Sequence, residues 1–113
     1  MSELPVIRCC PPISTDAMSE EDAVRLEQVF KALADRHRVR IINSLIRADP
    51  EAVCVCDFEE LLGLRQSSVS YHLKQLLTAG IVEREKRGSF MHYRLAPGAL
   101  DTFVADLRMQ VPA

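Results

Sequence analysis

Apolar positions recur at helical spacing along most of the chain and change to alternation only after residue 80. Ser19-Glu20-Glu21-Asp22 resembles a capping box, with acids where the helix dipole favours them. Ala23, Leu26, Val29, Phe30 and Leu33 then mark a stripe, which predicts a first helix. Asp35 is placed to cap a second helix, in which Val39, Ile42, Leu45 and Ile46 are expected to face inward and Arg36, Arg40 and Arg47 elsewhere. Asp49-Pro50 is a turn. Ala52 to Cys56 is short and apolar, a small strand or the run into the next helix, for which Asp57 is the expected N-cap. In that short helix Phe58, Leu61 and Leu62 fall at i, i+3 and i+4 before Gly63 stops it. A longer helix follows, with Val69, Leu73, Leu76 and Leu77 on one stripe and Gly80 at its end. Short helix, glycine turn and second helix make a helix-turn-helix.

After Gly80 the period becomes two. Ile81–Glu85 and Phe90–Leu95 flank Lys86-Arg87-Gly88-Ser89, a β-hairpin with a basic, glycine-containing tip. Met91, Tyr93 and Leu95 are expected on one face, and Phe90, His92 and Arg94 on the other. Pro97 suits the first turn of a last helix with Leu100, Phe103, Val104 and Leu107 as its stripe. Residues 1–18 hold Pro5, Pro11 and Pro12 and no helical period, and read as an extended Cys-bearing arm. The fold class is mostly α with a small β-hairpin (α+β): a dimeric winged helix-turn-helix over residues 19–110, with a tail at 111–113.

On the longer motif helix, Ser67, Tyr71, Lys74 and Thr78 lie opposite Val69, with Ser68, Gln75 and Ser70 at the margins. Ser, Gln and Tyr can read base edges or hold phosphate, and Lys74 can hold phosphate. Arg65 and Gln66 stand at the helix N-terminus, where backbone N–H groups also favour phosphate. Any solvated helix shows a polar face; the hairpin that follows, whose Lys86-Arg87 tip can reach along a duplex, turns the reading toward DNA. His72 lies beside the apolar stripe and is expected to be packed and hydrogen-bonded. Helix-turn-helix proteins bind as dimers to half-sites about one helical turn apart. Leu26, Phe30, Leu100, Phe103 and Leu107 are the candidate dimer-interface residues.

The net charge of −2 argues against nucleic acid until it is divided along the chain. Residues 1–35 carry seven acids against three bases, whereas Arg65 to Arg94 carries six bases against two acids. A local basic face matters more for phosphate contact than the total. The length of 113 residues suits one domain with a modest core. No apolar run reaches the length of a membrane span, no secretory segment opens the chain, and a cytoplasmic location is expected.

The four cysteines form two close pairs, Cys9-Cys10 and Cys54-Cys56. Pairs this close are poorly placed to bridge, and disulfides do not persist in a reducing cytoplasm. Such thiols point to metal binding or redox chemistry. An extended Cys54-Val55-Cys56 would present both thiols on one side, and the N-terminus of the helix that follows would lower a thiol pKa toward the metal-binding thiolate. Thiolates select soft ions, and two seldom complete a site, so Cys9 and Cys10 must supply the rest. The three histidines and the lack of a paired CxxC pattern disfavour a structural zinc finger.

The chain resembles the ArsR/SmtB family of bacterial winged-helix repressors over about residues 20–108. Three stretches carry the resemblance: Phe30-Lys31-Ala32-Leu33-Ala34-Asp35 before a basic helix, Cys54-Val55-Cys56-Asp57, and Gln66-Ser67-Ser68-Val69-Ser70-Tyr71-His72-Leu73. It implies a homodimer that represses a resistance operon and leaves DNA when a toxic metal or metalloid binds. The Cys-Val-Cys-Asp stretch is similar to the sensing segment of arsenite and antimonite responders, and of cadmium and lead responders. The chain departs from the pattern at four places. Glu59 stands where arsenic-type members often have a third cysteine, Arg36 where proline is common and Tyr71 where histidine is common. The last helix has Asp101 and Asp106 but no histidine, which removes the family's zinc site there.

Three thiolates fit a trivalent ion, so As(III) or Sb(III) bound by Cys9, Cys10 and one or both of Cys54 and Cys56 is the leading expectation for the inducer. A Cd(II)/Pb(II) sensor using all four cysteines is the alternative, and a thiol redox switch of DNA binding is a third reading. Nothing resembles a nucleophile–base motif, so no enzyme activity is expected.

Overall fold

The computed structural model describes residues 17–100. Helix α1 (Glu20–Leu33) begins where its capping signal places it: Ser19 is the N-cap, and its Oγ accepts from the Asp22 amide at 3.0 Å. Leu26, Val29 and Ala32 are its buried residues, while Ala23 is exposed and Phe30 stays 48 % exposed. Helix α2 (Arg36–Ala48) is capped by Asp35, whose Oδ1 accepts from the amides of His37 at 2.8 Å and Arg38 at 3.2 Å.

The inward face of α2 differs from the expectation. Ile41, Ile42 and Leu45 are buried, but Val39 and Ile46 are 53 % and 55 % exposed. The helix carries two overlapping apolar stripes, and the one that continues from Arg38 turns inward. Leu61 likewise lies at 39 % exposure, while its neighbours in the motif, Phe58 and Leu62, are buried.

The approach to the motif also differs. Val53–Cys54 forms strand β1, and α3 (Val55–Leu62) starts two residues before Asp57. The N-cap is Cys54, whose Sγ accepts from the Cys56 amide at 3.4 Å. Gly63 closes α3 with φ 67°, a left-handed conformation that a Cβ would strain. Helix α4 (Gln66–Thr78) buries Val69, Leu73 and Leu76, as its stripe requires.

Strands β2 (Val82–Arg87) and β3 (Phe90–Leu95) pair antiparallel from Val82↔Leu95 to Arg87↔Phe90. The hairpin is longer than the sequence suggested, because Lys86 and Arg87 remain in the ladder and only Gly88-Ser89 turn. Gly88 has φ 63° and no other residue type has positive φ among the described residues, which fits a tight turn with glycine first. β1 adds to the other side of β3 through Val53↔Tyr93 and Cys54↔His92, so the sheet order is β1-β3-β2. The core lies between sheet and helices, with Phe58, Ile41, Leu45, Leu73, Leu76 and Ile81 its largest fully buried side chains. Pro97–Leu100 are in a turn, and the rest of the expected last helix lies outside the described residues.

Candidate DNA-reading surface and thiol site

The core stripe of α4 fixes what the helix shows to solvent. Arg65, Gln66, Ser67, Ser70, Tyr71 and Lys74 are all exposed and Ser68 half-buried, with Tyr71 at 57 %. Arg65 is the N-cap but makes no side-chain cap bond, which leaves the first amides of α4 open to an anion. A groove of about 570 Å³ runs between α4 and the hairpin, lined by Gln66, Ser70, Lys74, Arg84 and Phe90 among others.

The hairpin sorts its charges by face. Val82, Arg84 and Lys86 alternate onto the side of Tyr93 and Met91, toward α4. Glu83, Glu85 and Arg87 take the other side with Arg94. There Arg94 Nε donates to Glu83 at 2.6 Å, and Arg87 donates to Glu85. These bonds draw the Glu85 carboxyl below its ordinary value, first through the Arg87 hydrogen bond, and raise the Arg94 guanidinium through Glu83. Of the two tip cations read from sequence, Arg87 is therefore engaged by Glu85, whereas Lys86 makes no ion pair among the described residues. Arg84, which entered the sequence reading only as charge, lines the same groove as Lys74; period-two alternation would have found it.

His72 is packed and hydrogen-bonded, as expected. Its side chain is 12 % exposed, and Nδ1 lies 3.1 Å from Arg38 Nη1 and 3.9 Å from Asp35 Oδ1. Burial, opposed by Asp35 and assisted by Arg38 and His37, holds its pKa below the ordinary value. Burial works against ionisation of Asp35 too. The amides of Arg38 and His37, then the charges of His72 and Arg38, outweigh it and hold the carboxyl below its ordinary value.

Cys54 and Cys56 sit where strand becomes helix. Cys54 ends β1, half-buried, and Cys56 is exposed in the first turn of α3, so the two are not side by side on an extended segment. The expected lowering of a thiol pKa by the helix N-terminus does not prevail at Cys56. Its hydrogen bond to the Cys54 thiol pushes it up first, and slight desolvation, Cys54 and Asp57 act the same way. Two thiols at one strand–helix junction can grip one ion, but they are two donors. No group of three or more His, Cys, Asp or Glu that could hold a metal ion occurs among the described residues. Cys9 and Cys10 lie outside the described residues.

On α1, a shallow apolar groove of about 500 Å³ is lined by Met18, Ala23, Leu26, Phe30 and Ala34 among others. Leu26 is buried at 5 % exposure in the chain's own core, and Leu100 packs half-buried against that core. Phe103 and Leu107 lie outside the described residues. No helix among the described residues is long and apolar enough to cross a membrane.

A helix-turn-helix followed by a β-wing, with a polar helix face beside a basic groove, defines the winged helix-turn-helix class. Residues 35–84 match the model of the "Bacterial regulatory protein, arsR family". The chain is 40 % identical over 80 residues to the arsenical resistance operon repressor of Bacillus subtilis, covering 71 % of this chain and 74 % of that protein. It superposes with a TM-score of 0.64 on the AntR antimony-specific transcriptional repressor, at 26 % identity over 87 % of each chain. With the homodimeric winged helix-turn-helix DNA-binding domain of Mb0332 from Mycobacterium bovis the TM-score is 0.60 at 26 % identity, over 85 % of this chain and 94 % of that one. The chain belongs to the arsR family of bacterial transcription regulators.

Proposed function

We propose that the protein is a homodimeric repressor that binds operator DNA and is released when As(III) or Sb(III) binds its cysteine thiolates. The observation that carries the proposal is where Cys54 and Cys56 sit. Cys54 pairs with His92 of the wing strand, and both thiols stand at the start of α3, which leads through Gly63 into α4. An ion gripped there pulls on the wing and on the helix-turn-helix at once. Cys9 and Cys10 complete the site. Only a difference in affinity of two conformations for ion and DNA can then couple the sites.

In the dimer, the apolar groove around Phe30 on α1 forms part of the interface, together with Leu26 at its floor, Leu100, Phe103 and Leu107. Arg65, Gln66, Ser67, Ser68, Ser70 and Tyr71 read or anchor the major groove, and Lys74, Arg84, Lys86 and Arg87 contact phosphate. The likeness to arsenical and antimony repressors favours a trivalent ion.

The experiment is a paired titration of reduced protein on labelled operator duplex with arsenite and with cadmium, repeated on Cys9→Ser, Cys10→Ser, Cys54→Ser and Cys56→Ser. Release by arsenite in the wild type, lost in the serine variants while DNA affinity stays, is expected. Release by Cd(II) or Pb(II) alone transfers the site to the divalent ions, and serine variants that lose DNA affinity make the thiols structural.

A further inference from the structure

We propose that Arg38 is a positioning residue for DNA reading: its guanidinium, seated on the C-terminal end of α1, sets the placement of α4 through His72. The inference rests on α4 being the recognition helix.

One side chain joins three helices. Arg38 Nε donates to the Ala32 carbonyl of α1 at 2.7 Å, and Nη1 meets His72 Nδ1 of α4 at 3.1 Å. The Arg38 amide is itself tied to Asp35 Oδ1 at 3.2 Å. The Ala32 carbonyl is among the last of α1, which lack a donor within the helix, so the guanidinium satisfies it and meets the negative end of the dipole. A guanidinium is a rigid planar fork, so seating one nitrogen fixes where the others point. His72 neighbours Tyr71 in the chain, with ring centroids 5.5 Å apart. Any roll of α4 that moves the imidazole also moves Tyr71 and Lys74 across the groove face.

The chemistry of the link sets its pH dependence. A guanidinium only donates, so Nδ1 of His72 must offer its lone pair and the ring carries its one proton on Nε2. Protonating Nδ1 leaves a donor facing a donor and a cation beside a cation. The other groups facing the ring are Asp35 Oδ1 at 3.9 Å from the same nitrogen, the His37 ring at 5.4 Å between centroids, and Tyr71. Asp35 Oδ1 is an acceptor toward which a protonated Nδ1 can turn, and doing so breaks the Arg38 link. Acid therefore loosens α4 just as added histidine charge raises the general attraction for phosphate. The two effects have opposite signs, which makes the link testable.

The test uses the full chain and a labelled duplex that the wild type selects from random-sequence DNA. If no sequence is selected, the reading of α4 fails before Arg38 is addressed. His72→Gln keeps an acceptor for Arg38 at every pH, and Arg38→Lys keeps the charge without the fork. At pH 8, His72→Gln is expected to bind within about threefold of wild type. As pH falls, the wild type loses affinity relative to His72→Gln, by about tenfold one unit below the pKa of His72. Arg38→Lys, folded by circular dichroism, loses about tenfold at pH 8, and adding His72→Gln to it costs nothing more. A wild-type to His72→Gln ratio that is constant or rises with acid overturns the proposal, as does an additive double variant. The pH ratio decides alone if Arg38→Lys does not fold.

Discussion

Replacing Ile41 by alanine removes three carbons from a side chain with no exposed surface, at the contact of α2 with the rest of the core. Transfer alone is worth about 0.8 kcal/mol per buried carbon, or roughly 2.4 kcal/mol. The space left in the core closes only in part, so the total should be about 3–4 kcal/mol, inside the range of about 2–5 kcal/mol for such truncations. In a domain near 100 residues, that lowers the Tm by at least about 12 °C. Val39→Ala, on the same helix, removes two carbons from a side chain that is 53 % exposed. The burial lost is small, and alanine's better helix propensity offsets most of it, so the change should stay within about 0.5 kcal/mol. Urea unfolding of both variants at one protomer concentration, followed by circular dichroism, makes the comparison. A fixed concentration matters because dimerisation would otherwise enter the midpoint. Equal destabilisation by the two variants, or a larger effect at Val39, would refute the assignment of the inward face of α2.

Gly63→Ala should cost about 1–2 kcal/mol by the same assay, since φ 67° strains any residue with a Cβ although nothing crowds the site. Lys74→Ala and Arg84→Ala should each weaken DNA binding across sequences and reduce the slope of log affinity against log salt by about 1, read by anisotropy over a salt series. Arg87→Ala should lower that slope less, because Glu85 already holds its guanidinium. The Asp35 carboxyl is held below its ordinary value, so its stabilisation is complete at neutral pH and is lost as pH falls through the folded-state value. The stability gap between wild type and Asp35→Asn should therefore narrow below about pH 4 in urea unfolding, and a constant gap counts against the carboxylate's role.

The helix-turn-helix was legible because Val69, Leu73 and Leu76 form one unambiguous stripe and Gly63 has one evident use. α2 was not, because Val39, Ile41, Ile42, Leu45 and Ile46 cover more than one face, and packing against α4 and β3 decides which turns inward. Arg38 sits on that inward side, where polarity argues against placing it. β1 exists only through its pairing with Tyr93 and His92, nearly forty residues downstream, so the apolar run from Ala52 to Cys56 left a small strand and a helix approach equally open. The cap of α3 was misassigned to Asp57 because cysteine is not among the preferred capping residues, whereas aspartate is. The exposed α4 face was readable, but its companion Arg84 was hidden inside a charge count. The thiols were readable as a pair, and the bond from the Cys56 amide to the Cys54 sulfur was not.

The cap on α3 bears on how such a regulator can change over generations. A sulfur atom holds a place for which the hydroxyl of serine is better suited. A single-base change from cysteine to serine at 54 would leave the junction of β1 and α3 as sound as before, or sounder, while removing a soft donor. With Cys54 as a ligand of the ion site proposed above, loss of ion response need not pass through a misfolded intermediate. On that proposal the DNA-reading scaffold can outlive its thiol site, and lineages are free to discard or redesign the thiols while keeping the scaffold in service.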